Sequence, residues 1–205
     1  MRLIVCGSTS NPDYGCSNSD GDGTAAYLEA VLWYATGNQT YANNAINLMN
    51  YYAQNVKGYG NVSGQALSGL GTVSSSNTPL QAAWDSEKWP RAAEIIRWGV
   101  SAGPSIATSW NPTYGTAVGQ AQAAAFGAWM KNVIEPQLIN GSSSNGNWEI
   151  SMIEGLIGIG VHNDDATTFN LGFTYWKQRI PAYFCYYTDG SSPVPAPRGS
   201  ASWYG

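Results

Sequence analysis

The junction between a polar loop and an apolar helical run, at residues 142–155, carries side chains that could contact a ligand. Its sequence is SSSNGNWEISMIEG, with Asn145 and Asn147 on either side of a glycine and Trp148 directly after them. Amide side chains here can cap the free backbone N–H groups at the start of a helix. They can equally hydrogen-bond a ligand, with the indole as a wall beside it. The residues alone leave both interpretations open.

Two further blocks combine polar and aromatic residues. In LQAAWDSEKWPRAAEIIRW, Gln81 and Trp84 could line a cleft as a hydrogen-bonding group and a sugar platform, or the block could be a helix with solvent-exposed ion pairs. In YWKQRIPAYFCYY, Arg179 and Tyr183 flank a helix-stopping proline. There the arginine either caps helix carbonyls or makes the nearby phenol usable as a base.

Motifs for other chemistries are poorly matched. Five residues follow the spacing of a calcium loop, but no helix enters that loop and an asparagine takes the first position, so Asp22 is assigned to the N-cap region of the next helix. The five are Asn18, Asp20, Asp22, Gly23 and Glu29. His162, the only histidine, ends an apolar run, as a helix-capping residue would. Zinc clusters, nucleophile elbows, phosphate loops and dinucleotide fingerprints do not occur in the sequence, so we predict no metal and no cofactor.

The elements that must position these residues are mainly helices. Apolar spacing predicts helices over 23–36, 40–56, 79–99, 117–139, about 147–161 and about 166–179. Pro90 is expected to kink its helix or begin a second one, and Pro136 to bend the long helix near its end. Residues 1–22 are expected to be irregular, 58–78 too polar for a core element, and 190–205 a proline-rich tail. Strand-like stretches are limited to LIVC and YFCYY.

Helical hairpins in series either stack as a solenoid or close into an α/α toroid. The chain shows no fixed repeat period, which disfavours the solenoid families. We therefore predict one all-α domain over residues 1–205, arranged as a toroid-like, incomplete barrel of antiparallel helical hairpins. The loops 103–116 and 140–147 would then meet at one face, around a cleft.

The amino-acid composition limits the classes of partner that the chain is expected to bind. Only 11% of residues are charged, and 9 tryptophans and 13 tyrosines accompany 4 phenylalanines. Rings with a polar edge suit sugar binding, although a tryptophan-rich core needs no ligand. A net charge of −4 argues against nucleic acid, and no apolar run is long enough to span a membrane.

Cysteines and glycosylation motifs indicate an extracellular protein. Cys6 and Cys16 bracket a short loop rich in turn residues, which predicts a disulfide, whereas Cys185 has no obvious partner. Acceptor motifs begin at Asn38, Asn61 and Asn140, all in expected turns. The stretch MRLIVCG is too short to predict a signal peptide. Few lysines and a disulfide favour secretion, with a cytosolic chain bearing free thiols as the alternative.

Three motifs together resemble the alginate-lyase-like superfamily of polysaccharide lyases, in its fungal and actinobacterial branch. They are LQAAW…WPRAAEIIR, NGNWEISMIEGLIGIGV and the W-x-x-R-x-PAY segment, and AAYLEAVLWYATGNQTYANNAINLMN is similar to that family's early helical hairpin. The resemblance covers most of residues 5–195 and implies an α/α toroid that cleaves uronic-acid polymers by β-elimination. Compared with that pattern, the chain is expected to be a shortened member.

The resemblance also implies roles for individual residues. Asn147 or Asn145 would neutralise the uronate carboxylate, Tyr183 would transfer the proton and Arg179 would be its electrostatic partner. The residues agree with this chemistry, since elimination needs a neutralised carboxylate, a base and an acid, and no metal. We expect four residues to contact an anionic polysaccharide such as alginate or glucuronan, namely Asn145, Gln81, Trp84 and Trp148.

Two alternatives stay open at this stage. One is a non-catalytic carbohydrate-binding relative. The other is a glycoside hydrolase on an α/α barrel, which requires two carboxylates across the cleft. Glu149 and Glu154 are the only close acidic pair in these motifs, and on one helix they would point to different faces.

Overall fold

A computed structural model describes residues 2–7, 13–60, 66–67, 71–72, 77–100, 106–140 and 146–184. The helices are α1 Cys16–Thr36, α2 Gln39–Asn55, α3 Thr78–Trp98, α4 Ala117–Trp129, α5 Glu135–Asn140, α6 Gly146–His162 and α7 Ala166–Tyr183. A π-helical turn, Met130–Ile134, joins α4 directly to α5. The strands are β1 Arg2–Cys6, β2 Asp13–Tyr14, β3 Val56–Gly60, β4 Ala66–Leu67 and β5 Gly71–Thr72. The predicted helical class is confirmed.

Helix direction alternates between two sets. In the first set, α1, α3 and α6 run parallel with α3 in the middle, because Ser19 meets Asp85 near their starts and Arg97 meets His162 at their ends. In the second set, α2 packs antiparallel on α1 and α7 antiparallel on α6. The ends of α1, α3 and α6 therefore lie at one end of the bundle. The small sheet and the start of α1 lie at the other.

The expectation of irregular structure over residues 1–22 is wrong for the described part. Strand β1 pairs in parallel with β3 and antiparallel with β2, which gives the sheet order β2-β1-β3. The strand predicted at LIVC is thus confirmed, and its partner β3 extends from Val56 into the stretch 58–78, where no core element was expected. The disulfide predicted between Cys6 and Cys16 is also confirmed, and it fixes the end of β1 to the first residue of α1.

Helix α1 begins seven residues earlier than predicted, so Asp22 is not an N-cap. Gly15 has that position, with a positive φ of 85° that favours glycine. The first turns are polar but small, and Ser19 and Gly23 are buried against α3. A Cβ at Gly23 would come within 3.3 Å of Trp89. Small residues let α1 approach α3 closely here. This part of α1 therefore lacks the apolar stripe from which a helix is predicted.

The prolines act differently from one another. Pro90 lies inside a single uninterrupted α3 and is buried against Gly158 of α6. Near Pro136, by contrast, the long helix leaves α geometry at the π-helical turn. At the end of the chain's described part, α7 continues to Tyr183, so the strand predicted at YFCYY does not begin there.

The core is aromatic. Trp89 packs against Tyr52 at 4.7 Å and Phe126 at 5.8 Å between ring centroids, and Trp33 and Trp110 are fully buried. Other tryptophans, including Trp84, lie at the surface. The tryptophan surplus is therefore divided between core and surface. Within the described residues, no helix is both long and apolar enough to cross a membrane.

Candidate functional site

The start of α6 presents one of its predicted residues to solvent. Asn147 is exposed, whereas Trp148 is half-buried and packs against the core. Asn145 lies outside the described residues. Each interpretation of this junction thus fits one residue. Asn147 is available to a ligand, whereas Trp148 contributes to packing.

The predicted pair on α3 is also divided. Trp84 is 42% exposed, as a sugar platform requires. Gln81 is buried, and its Nε2 donates to the carbonyl oxygen of Cys16 at 3.3 Å and to Asp85 at 3.1 Å. Contrary to the expected cleft, the amide of Gln81 therefore links α3 to the start of α1.

Arg179 lies in the interior. Its guanidinium pairs with Glu149 of α6, and both side chains are 1% exposed. This ion pair joins α7 to α6 and accounts for both charges, which differs from the expected place of Arg179 beside a substrate. The side chain of Tyr183 lies outside the described residues.

The asparagines of the three glycosylation motifs are described to different extents. Asn38 is exposed and caps α2, accepting a hydrogen bond from the backbone N–H of Thr40 at 3.0 Å. Asn61 is outside the described residues, and Asn140 ends α5 with a side chain that is not described. The residues with calcium-loop spacing lie along α1 rather than in a loop.

A pocket of about 430 Å³ lies where α3 and α6 end beside α4. Its polar lining includes Arg97, Gln120, Lys131, His162 and Asn163, and Trp110 forms part of its wall. The pocket brings cations, amides and an imidazole into one concavity, the pattern expected of a binding or catalytic site.

The turn that ends α6 positions the imidazole and the amide. Asp164 adopts a positive φ of 52°, a conformation that a short polar side chain tolerates, and this turns the chain into α7. The Nδ2 of Asn163 donates to the carbonyl oxygen of Gly127 at 3.1 Å. A Cβ at Gly127 would overlap Asn163 and approach the His162 ring, so only glycine lets α4 come this close.

His162 forms a dyad with Glu94. The Nδ1 atom lies 3.1 Å from a carboxylate oxygen of Glu94, 68 residues earlier in the chain. A carboxylate accepts hydrogen bonds, so in the neutral imidazole Nδ1 would donate to Glu94 and Nε2 would be the atom with the lone pair. This is the arrangement of a general base held by an orienting carboxylate. His162 lines the pocket, and its side chain is 2% exposed.

Two consecutive aspartates hold the two cations. Lys131 pairs with Asp165, and this hydrogen bond, with those from Thr168 and Thr167, lowers the pKa of Asp165 to about 2. Arg97 donates to the carbonyl oxygen of His162 at 2.6 Å and lies 3.6 Å from Asp164. Because Asp164 is 77% exposed, its pairing with Arg97 is weak and can be exchanged for another anion.

No family model, curated protein or solved structure matches the chain. The resemblance to the alginate-lyase-like superfamily therefore stays a prediction, and the pocket is the starting point for function. Its arrangement can bind an anion through Arg97 and remove a proton through His162.

The sequence does not reveal this pocket, because its parts are far apart in the chain. The pattern around His162 indicates a helix cap, and no motif points to Arg97. The signal that could have found them is the segment HNDD, where the only histidine adjoins an asparagine and two aspartates. Nothing in the sequence indicated that Glu94 would orient the imidazole.

Proposed function

We propose that this chain is a polysaccharide lyase that cleaves a uronic-acid polymer, of the alginate or glucuronan type, by β-elimination. The observation that carries the proposal is the Glu94–His162 dyad beside the exchangeable guanidinium of Arg97 in one pocket. The composition of the chain, with many tryptophans and tyrosines, supports a carbohydrate substrate.

The chemistry assigns a task to each group. Arg97 binds the uronate carboxylate and disperses the charge that develops there when the neighbouring C5–H bond breaks. Nε2 of His162 accepts that proton. The electron pair forms the C4–C5 double bond as the C4–O4 bond breaks, and the imidazolium returns its proton to the leaving oxygen. Glu94 stabilises the imidazolium between the two steps.

Asn163 and Gln120 lie close enough to the same pocket to hydrogen-bond sugar hydroxyls. In this proposal Asn147 and Trp84 contact the polymer away from the reacting unit, since both are at the surface. Tyr183 stays a candidate for proton transfer, which a Tyr183→Phe variant tests separately from His162.

The experiment is ultraviolet absorbance of unsaturated uronate during incubation with alginate, glucuronan and pectate in turn. We expect a rise on one polymer. His162→Gln and Arg97→Ala should each reduce the rate at least about a hundredfold, given the usual contribution of a general base or an oxyanion-stabilising group. Arg91→Ala is the matched control, because Arg91 also lies on α3 and pairs with a carboxylate, Glu154, outside the pocket.

Equal rates for Arg97→Ala and Arg91→Ala would refute the role of the pocket. If Tyr183→Phe abolishes turnover while His162→Gln does not, the base is Tyr183, as the family resemblance implies. Reducing ends released without new absorbance would indicate hydrolysis instead.

The second candidate is a non-catalytic carbohydrate-binding protein. The near-complete burial of His162 favours it, because a binding pocket needs no access to that ring. It predicts polymer binding with no product. A hydrolase that uses Glu149 and Glu154 has less support, since Glu149 is buried against Arg179 whereas Glu154 pairs with Arg91.

We also propose a toroid-like arrangement of the helices, secretion of the protein and a polysaccharide partner. Alternating helix directions support a toroid-like arrangement of helical hairpins. The disulfide at the start of α1 supports secretion, because such bonds persist in oxidising compartments. An anionic polysaccharide, rather than nucleic acid, is the proposed partner.

A further inference from the structure

A second concavity, of about 730 Å³, lies at the opposite end of the bundle from the pocket. It is bounded by β1, the turn before α1, and the facing sides of α1 and α2, and we call it the tyrosine groove. Its polar and aromatic lining residues are Arg2, Tyr14, Asn18, Asp22, Tyr51 and Tyr52. None of these takes part in the proposed elimination.

One wall of the groove is rigid. The hydroxyl of Tyr52 donates to Asp22 at 2.7 Å, and the Tyr52 ring packs on Trp89 at 4.7 Å and on Trp129 at 5.8 Å between centroids. Asp22 is therefore held as a hydrogen-bond acceptor before any ligand arrives. Such preorganisation lowers the entropy lost on binding.

Next to Tyr52 on α2, the groove carries a second aromatic ring and a cation. Tyr51 is 38% exposed, and the guanidinium of Arg2 lies 5.4 Å from the centre of its ring. This contact places the guanidinium at the groove, where it can donate hydrogen bonds to a ligand. Asn18 adds an exposed amide on α1.

We propose that the tyrosine groove binds a neutral saccharide. Sugars combine apolar C–H faces, which pack on tyrosine rings, with hydroxyls that both donate and accept. Asp22 accepts hydrogen bonds, Arg2 donates them and Asn18 does both. Among the described lining residues, the carboxylate of Asp22 and the guanidinium of Arg2 offset each other, so these residues present no net charge to a uronate or a polycation. This ligand class differs from that of the pocket, and the inference does not depend on lyase activity.

The test is an NMR titration of the full-length isotope-labelled protein with cellohexaose, mannohexaose and xylohexaose, and with an oligogalacturonate of similar length. We expect at least one neutral hexasaccharide to bind, with shifts at Asn18 and Tyr51. Tyr51→Ala should weaken that binding about tenfold, from the loss of one aromatic contact. Tyr34→Ala is the matched control, since Tyr34 is an exposed tyrosine of α1 outside the groove.

A charge variant sharpens the test. Asp22→Asn keeps an oxygen for the Tyr52 hydroxyl, so the wall should still form, but it leaves Arg2 without an offsetting charge. We expect this variant to lose affinity for the neutral sugar and to gain affinity for the oligogalacturonate. Unchanged selectivity would overturn the assignment of ligand class.

Two other outcomes would overturn the proposal. One is the absence of binding by all three neutral hexasaccharides at millimolar concentration. The other is binding that Tyr51→Ala and Tyr34→Ala affect equally. Neither outcome bears on the lyase, which is measured by absorbance in variants of a different region.

Discussion

Replacing Asp85 by asparagine should change how stability depends on pH. The Asp85 carboxylate is fully buried between α1, α3 and β3, where it accepts hydrogen bonds from Ser19 at 2.6 Å, from Tyr59 and from Gln81 at 3.1 Å. Burial raises its pKa from 3.8 to about 6, because the hydrogen bonds only partly replace the lost water.

Whether the free energy of unfolding rises or falls with pH depends on which state, folded or unfolded, binds the Asp85 proton more tightly. Between about pH 4 and pH 6 the unfolded chain has lost this proton while the folded chain keeps it, so the free energy of unfolding falls as pH rises. A difference of about two pKa units corresponds to about 3 kcal/mol. Below pH 4 this cost is absent, and above pH 6 it is present in full.

The assay is urea unfolding of the wild type and Asp85→Asn at several values between pH 4 and pH 7. The two stability curves should diverge by about 3 kcal/mol across that interval, with the variant gaining relative to the wild type at higher pH. Comparing the two curves cancels the contributions of other acids whose pKa burial raises, such as Glu87 and Glu135. An exposed substitution, Asp164→Asn, controls for the change itself. Parallel curves for the wild type and Asp85→Asn would refute the reasoning.

Three further predictions concern stability and are measured by denaturant unfolding. Gly119→Ala should cost about 1–3 kcal/mol, because the new Cβ would overlap the Ser109 carbonyl oxygen, whereas Gly21→Ala, with open space around it, should add about 0.5–1 kcal/mol; equal effects would contradict this packing. Arg179→Met should cost about 3–5 kcal/mol by leaving the Glu149 charge buried, and a smaller loss than that of Arg91→Ala would argue against the ion pair. Reducing the disulfide should cost about 3 kcal/mol, from the short loop that it closes, and an unchanged midpoint would remove it from the stability of the fold.

Much of the helical architecture could be predicted because it depends on local pattern. Helix α2 was expected over 40–56 and is observed as Gln39–Asn55, and α6 and α7 begin within one residue of expectation. The first turns of α1 escaped prediction because small polar residues pack there against a neighbouring helix. Strand β3 escaped because its partner, β1, is about fifty residues away.

The candidate sites were less accessible to sequence reasoning. Gln81 and Arg179 have the polarity of ligand-binding residues, yet each is used inside the fold. The same residue type can form a buried hydrogen bond or bind a ligand, and only the identity of its partner distinguishes the two roles. The partners here, Asp85 and Glu149, lie on α3 and on a neighbouring helix, where periodicity indicates burial but not pairing.

The π-helical turn Met130–Ile134 separates two parts of one long helix that have different structural roles. Before it, α4 contributes Gln120 and the close approach of Gly127 to the pocket. After it, α5 packs Leu138 against Gly155 in the core. A wider turn of this kind is where a helix can gain or lose one residue without breaking, and it often occurs at functional sites. Lys131 lies in the turn itself, so a one-residue change here would reorient a pocket cation while α5 kept its packing.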